Sequence, residues 1–169
     1  MERFSLILEH PLFVEKLERI NELERERLFC GHGMEHLLDV ARIAYILYLE
    51  SRPEQASGAP ISSSEFSKEM FYAAAFLHDI GRARQYEDGT PHEQESARLA
   101  EMILPECGFD ASESELMLDA ILAHRTKIGK GRTGFVGFLY RADKLSRRCC
   151  DCAVADECDW ELKNIRLEY

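Results

Sequence analysis

Strand-like alternation of apolar and polar residues is scarce in this sequence, which argues against a sheet. No stretch approaches the roughly 18 uninterrupted apolar residues of a membrane span, so no membrane partner is expected. Basic residues are in the minority: 21 Lys and Arg face 31 Asp and Glu, a net charge of −10. That balance excludes general nucleic-acid coating, which relies on a basic surface. Internal repeats and low-complexity tracts are absent too, and 169 residues suit one domain. The opening MERFSLILEHPLF carries Glu2 and only a short apolar stretch, and does not read as a signal peptide. A cytoplasmic address is the expectation, where the six cysteines serve as thiols or metal ligands and not as disulfides.

What is present is helical periodicity, punctuated by only 5 prolines and 10 glycines. Leu12, Phe13, Leu17, Ile20, Leu23 and Leu28 predict a helix over 11–29. Residues 33–50 are apolar almost all round and predict a central, buried helix. SRPEQASGAPI, residues 51–61, is the longest loop. A helix is expected over 64–79, followed by a polar stretch to Gly89. Thr90-Pro91-His92-Glu93 reads as N-cap, first-turn proline and capping box for a helix to Leu104, stopped by Pro105 and Gly108. Ser112 to Glu115 offers a second capping box and a helix to His124. Lys127 to Gly134, with three glycines, reads as a mobile loop before a last helix from Phe135. The fold class is all-α: a single-domain bundle of about six helices. A monomer and an oligomer are both compatible with this pattern.

Several polar residues sit where apolar ones are expected. AAAFLHDIGRAR ends a hydrophobic run in His78-Asp79. His36 interrupts the apolar helix, His92 lies in a first helical turn, His124 closes MLDAILAH and Asp143 lies inside FLYRADKL. Taken singly, each has a bland reading, such as a core histidine bonded to a carbonyl. Taken together, they suggest one buried site with a shared metal, because a coordinating cation satisfies buried imidazole and carboxylate. These ligand types suit Mn, Fe, Co, Ni or Zn better than an all-oxygen Mg or Ca cage. His78 and Asp79 point about 100° apart on a helix and can approach a metal together. Asp79 can offer one oxygen to each of two ions, and a pair about 3.5–4 Å apart suits phosphate-ester hydrolysis.

An anionic substrate is suggested by the segment Arg125–Arg148, where eight basic residues face the single acid Asp143. Arg125, Lys127, Lys130 and Arg132 are the candidates for phosphate contact, with Lys144 beside them. For the outermost Arg147 and Arg148 a solvated helix face serves equally well. RRCCDCAVADECDW gathers Cys149, Cys150, Cys152 and Cys158. Cys149-x-x-Cys152 with Cys158 and Cys30 would form a separate structural zinc site, or an iron–sulfur cluster with the same ligand type. Reduced thiols packed as small hydrophobes are the plainer alternative. Cys107 has no visible partner.

The order His36, His78-Asp79, Asp143 resembles the H…HD…D signature of HD-domain metal-dependent phosphohydrolases. EHLLDVARIA, FLHDIGR and RADKLSR agree locally, and the resemblance covers about residues 30–147. Residues 1–29 then form an N-terminal helix packed on the core and 148–169 a Cys-rich tail. The resemblance implies a helical bundle with a central metal site and hydrolysis of phosphomono- or phosphodiesters of a small molecule such as a nucleotide. It implies two divalent ions: His36, His78, Asp79 and Asp143 on one, with His92 and His124 joining Asp79 on the other. Asp79 and Lys144 are placed at the reaction centre. The missing GYP triplet speaks against cyclic di-GMP cleavage, and Ile-Gly-Arg after the doublet against guanosine tetraphosphate hydrolysis. The alternative is a regulatory module that retains metal on the same scaffold without turnover.

Overall fold

The helix expected over 11–29 is α2 (Pro11–Leu23), which ends earlier than expected, and a helix that was not expected, α1 (Glu2–Glu9), precedes it. His10 is extended between them, and its ring accepts a hydrogen bond from the Leu12 amide while Pro11 opens α2. The computed structural model describes residues 1–52 and 66–159, with Lys163, Arg166 and Tyr169. The loop expected over 51–61 lies, beyond Arg52, outside the described residues. The other helices are α3 (Met34–Glu50), α4 (Lys68–Leu77), α5 (Arg82–Asp88), α6 (His92–Glu106), α7 (Ala111–Ala123), α8 (Lys127–Lys130) and α9 (Gly134–Leu145). A 3-10 turn over Cys149–Asp151 follows. Among the described residues there is no strand, and no helix is long and apolar enough to cross a membrane.

The most enclosed helix is α4 and not α3. Ala73, Ala74, Ala75, Phe76 and Leu77 are all buried, whereas α3 leaves Met34, Ile46 and Leu49 exposed. Three consecutive alanines let α3, α6, α7 and α9 all approach α4. Phe71 stacks on Phe135 of α9 with ring centroids 4.6 Å apart, and Phe4 of α1 meets Phe76 edge-on at 4.8 Å. Each such ring, fully buried, contributes about 1.5–3 kcal/mol of apolar transfer.

Several helix boundaries differ from the sequence expectation, and Pro105, expected to stop α6 at Leu104, lies inside its last turn, which runs to Glu106. Pro91, and not Thr90, precedes α6, and no side chain caps it. The Thr90 amide instead donates to Asp88 Oδ1, which holds Thr90 in the preceding turn. The capping box of α7 is Asp110 with Glu113, two residues earlier than Ser112, because Asp110 supplies the carboxylate that accepts from the Glu113 amide. Part of the glycine loop after His124 is helical: Thr126 Oγ1 accepts from Gly129 N and caps α8. The polar stretch before Gly89 also winds into α5.

Candidate metal centre

The helix ends converge. His36 lies in the first turn of α3 and His92 is the first residue of α6. His78 and His124 directly follow the last turns of α4 and α7, and Asp143 sits in the last turn of α9. A helix C-terminus leaves carbonyls without intrahelical partners. His78 and His124 use this identically: each Nδ1 donates to the carbonyl three residues back, Ala75 or Ile121, at 2.6 Å. A proton is thereby placed on Nδ1, and Nε2 faces inward, the atom each ring would offer to a metal. His92 Nδ1 is held by Gln85 Oε1 at 2.6 Å, and His36 Nδ1 by Ser146 Oγ at 3.3 Å.

All four Nε2 atoms address the Asp79 carboxylate, from two sides. Oδ2 lies 3.2 Å from His78 Nε2 and 3.4 Å from His36 Nε2. Oδ1 lies 3.1 Å from His92 Nε2 and 3.6 Å from His124 Nε2. Asp143 Oδ1 joins the first side, 3.7 Å from His36 Nε2 and 3.9 Å from His78 Nε2. All six residues predicted from the sequence to surround a metal are thus brought together, and only His36, 11% exposed at its side chain, is more than slightly open to solvent.

The donor set suits a cation. His36 Nε2, His78 Nε2 and both Asp79 oxygens are buried without a hydrogen-bond partner. Such atoms are costly unless something coordinating satisfies them. Two triads, His36/His78/Asp143 and His78/Asp79/His124, each bring three donor atoms within 4.8 Å of one another. Within the cluster the charges compensate one another. Burial alone would lower the His78 imidazole, but Asp79 and Asp143 outweigh it and hold it up to about 10. Burial likewise opposes ionisation of Asp79, yet His78 and Arg82 keep it well below the usual carboxylate range. Asp143 is depressed in the same way, against burial, by His78, Lys144 and Arg147. His92 is lowered, chiefly by burial, which favours the neutral ligand form.

Sequence reasoning missed Arg82. Its Nε pairs with Asp79 Oδ1 at 3.0 Å, and the side chain is only 16% exposed. The available signal was its position three residues after Asp79, at helix spacing. Also missed was the role of His32, one helical turn ahead of His36. Its ring meets His36 edge-on at 5.5 Å between centroids, and its Nδ1 lies 2.5 Å from Glu24 Oε1. Tyr86 donates to the same carboxylate oxygen at 2.5 Å. Burial drives His32 down to about 4 despite Glu24, while Glu24, against its own burial, is drawn to about 2 by the His32 contact.

The basic candidates are distributed differently. Lys144 is inside the site: its Nζ meets Asp143 Oδ2 and donates to the His124 carbonyl at 3.3 Å. Arg147 reaches Asp143 Oδ1 at 3.7 Å with its side chain 12% exposed, so it is not a solvated outer residue. Arg148 is one, pairing with Glu35 and Asp39. Arg125 is exposed, 4.0 Å from Glu93. Lys130 is exposed, and Arg132 is drawn to Asp119 on α7 at 2.5 Å. The Lys127 side chain lies outside the described residues.

The cysteine expectation needs correction. All six thiols are free, and no three of Cys30, Cys149, Cys152 and Cys158 come within ligand distance of one another. The chain turns through the 3-10 segment Cys149–Asp151, which spreads the thiols, and Cys30 and Cys152 line a surface cavity beside His36.

The HD domain family model matches residues 33–161, a span that includes every member of the cluster. A protein of Clostridium beijerinckii described as uncharacterized is 41% identical over 171 residues, covering both chains completely. Among solved structures, a predicted HD superfamily hydrolase from an uncultured Thermotogales bacterium superposes with a TM-score of 0.56 at 24% identity. That match covers 78% of this chain and 66%, just under two thirds, of the other. At this identity the likeness concerns the fold.

Proposed function

This chain belongs to the HD domain family, and on that premise we propose that it is a metal-dependent phosphohydrolase acting on a phosphomono- or phosphodiester of a small molecule, a nucleotide in particular. The observation that carries the reading is the Asp79 carboxylate, whose two oxygens each face two imidazoles, with Arg82 paired to Oδ1 from outside the ring of histidines. In this reading His36, His78, Asp79 and Asp143 hold one divalent transition ion, and His92, His124 and Asp79 a second. Such ions supply Lewis acidity and lower the pKa of water towards neutrality.

The chain's own residues do the rest. The Nδ1 bonds to Ala75, Ile121, Gln85 and Ser146 lock each imidazole in one orientation. Arg82 holds the Asp79 carboxylate in place through Oδ1. Lys144, held by Asp143 and the His124 carbonyl, places positive charge where non-bridging phosphoryl oxygens would lie. Arg125, Lys130 and Arg132 would attract the anion at longer range, and Lys127 belongs to the same basic segment of sequence.

The test is hydrolysis of p-nitrophenyl phosphate and bis(p-nitrophenyl) phosphate by protein loaded in turn with Mn, Fe, Co, Ni and Zn. Turnover that depends on metal and disappears in Asp79→Asn is expected. Inactivity with every metal, in protein that binds them, would overturn the reading in favour of the regulatory module.

A further inference from the structure

A cavity of about 440 Å³ opens beside the metal cluster and has His36, Ser146 and Arg147 in its lining. His36 is also the member of the cluster most open to solvent, so this is a side from which a small molecule reaches it. The remaining wall is unusual. Leu28, Phe29 and Met34 contribute to it and are 72%, 42% and 46% exposed, three large apolar side chains within seven residues of chain. Cys30 and Cys152 continue the same surface, and a reduced thiol packs as a small hydrophobe. Single exposed apolar residues need no explanation, but a contiguous group beside a polar centre marks a binding surface.

Resting on the phosphohydrolase reading, we propose that this wall seats the organic end of the substrate and selects phosphate esters that carry a flat, apolar ring system, such as a purine, over compact sugar or alkyl phosphates. The cavity borders the cluster at His36, and in this proposal the phosphate end of the molecule lies on that side. Arg147, reaching from Asp143 into the lining, marks the boundary between the charged end and the apolar end. The volume lies within the range of small-molecule sites, about 300–1,000 Å³. Phe29 offers the ring face on which a base stacks, and Met34 an adaptable thioether beside it. The ion pairs of Arg148 with Glu35 and Asp39 line the opposite rim, and they keep that side from attracting a second anion.

The experiment is calorimetric binding of two probes, adenosine 5′-monophosphate and ribose 5-phosphate, to Mn-loaded protein. The probes share the phosphate and ribose and differ in the base. The wild type is expected to prefer the adenosine probe by about tenfold or more, the order that one aromatic stacking contact is worth. Phe29→Ala is expected to reduce that preference to about twofold, and Met34→Ala to reduce it partly. Both residues are exposed, so thermal melts should show these variants folded; Leu122→Ala, exposed on the far face of α7, serves as the control with an unaltered preference. Equal binding of the two probes by the wild type overturns the apolar seat while leaving the hydrolase reading intact. A wild-type preference that survives both Phe29→Ala and Met34→Ala also overturns it. No binding of either probe, with no phosphatase turnover, removes the hydrolase reading as well.

Discussion

A methyl group on the α-carbon of Gly81 would lie 2.4 Å from the carbonyl oxygen of His92. The Gly81 amide also donates to Ser96 Oγ at 2.9 Å, so the turn after the His78-Asp79 doublet is clamped directly on α6. This contact is what brings the His92 imidazole up to Asp79. Gly81→Ala is therefore expected to cost about 1–3 kcal/mol as an overpacked contact. That corresponds to a fall in Tm of roughly 3–10 °C for a chain of this size. The same variant should lose metal from the His92 side first, read by elemental analysis.

His92→Ala is expected to reduce bound metal from two ions per chain to one. Gln85→Ala, which frees His92 Nδ1, should retain both ions but weaken one by about tenfold or more, as loss of an outer hydrogen bond does at other histidine sites. Metal titration of the two variants side by side checks this, and an unchanged ratio in His92→Ala would remove that residue from the site.

Arg82 and the metal should compensate for one another. In metal-free protein, Arg82→Met removes one of the two positive neighbours of the buried Asp79 charge and leaves it to His78 alone, and a loss of about 3 kcal/mol is expected. Saturating metal should recover most of the loss, since a cation bound only by the folded state stabilises it by mass action. Urea unfolding with and without metal measures both quantities. A deficit that metal does not touch would place Arg82 outside the cluster's electrostatics.

The Glu24 carboxylate, drawn down to about 2 from its ordinary 4.5, makes stability depend on acid. A depressed carboxylate contributes fully above its unfolded pKa, and the contribution fades as pH falls from about 4.5 towards 2. At pH 6, Glu24→Gln should be less stable by about 2 kcal/mol, the order of a hydrogen bond to a charged group. Unfolding curves taken down the acid limb should show the gap between variant and wild type narrowing below pH 4.5. A constant gap would mean that the charge on Glu24 is not what matters.

The thiols should be dispensable for metal. The double variant Cys149→Ser, Cys152→Ser is expected to bind the same amount of metal as the wild type, because among the described residues no thiol belongs to a group of three ligands. A fall in zinc or iron content would restore the separate site that the tail's spacing suggested.

Helical periodicity was legible because a 3.6-residue repeat is written locally, and so were the six helices α2, α3, α4, α6, α7 and α9 and the all-α class. Element ends were less legible. Thr90 and Ser112 both look like caps, but Asp88 takes the Thr90 amide and Asp110 offers a carboxylate two residues before Ser112. Apolarity did not identify the central helix either. α3 offers the longer apolar stretch, yet α4 is the more apolar per residue, and its small alanines are what neighbours can close around.

The identities of the clustered residues were determined by the sequence: His36, His78, Asp79, His92, His124 and Asp143 are conspicuous because burying an unpaired imidazole or carboxylate is costly wherever it occurs. Only the tertiary structure decided which oxygen of Asp79 faces which histidines, that Arg82 and Arg147 belong inside, and that the cysteines stand apart. The reason is that rotamer, hydrogen-bond partner and burial depend on residues from other helices, tens of positions away in the chain, and no local pattern records them.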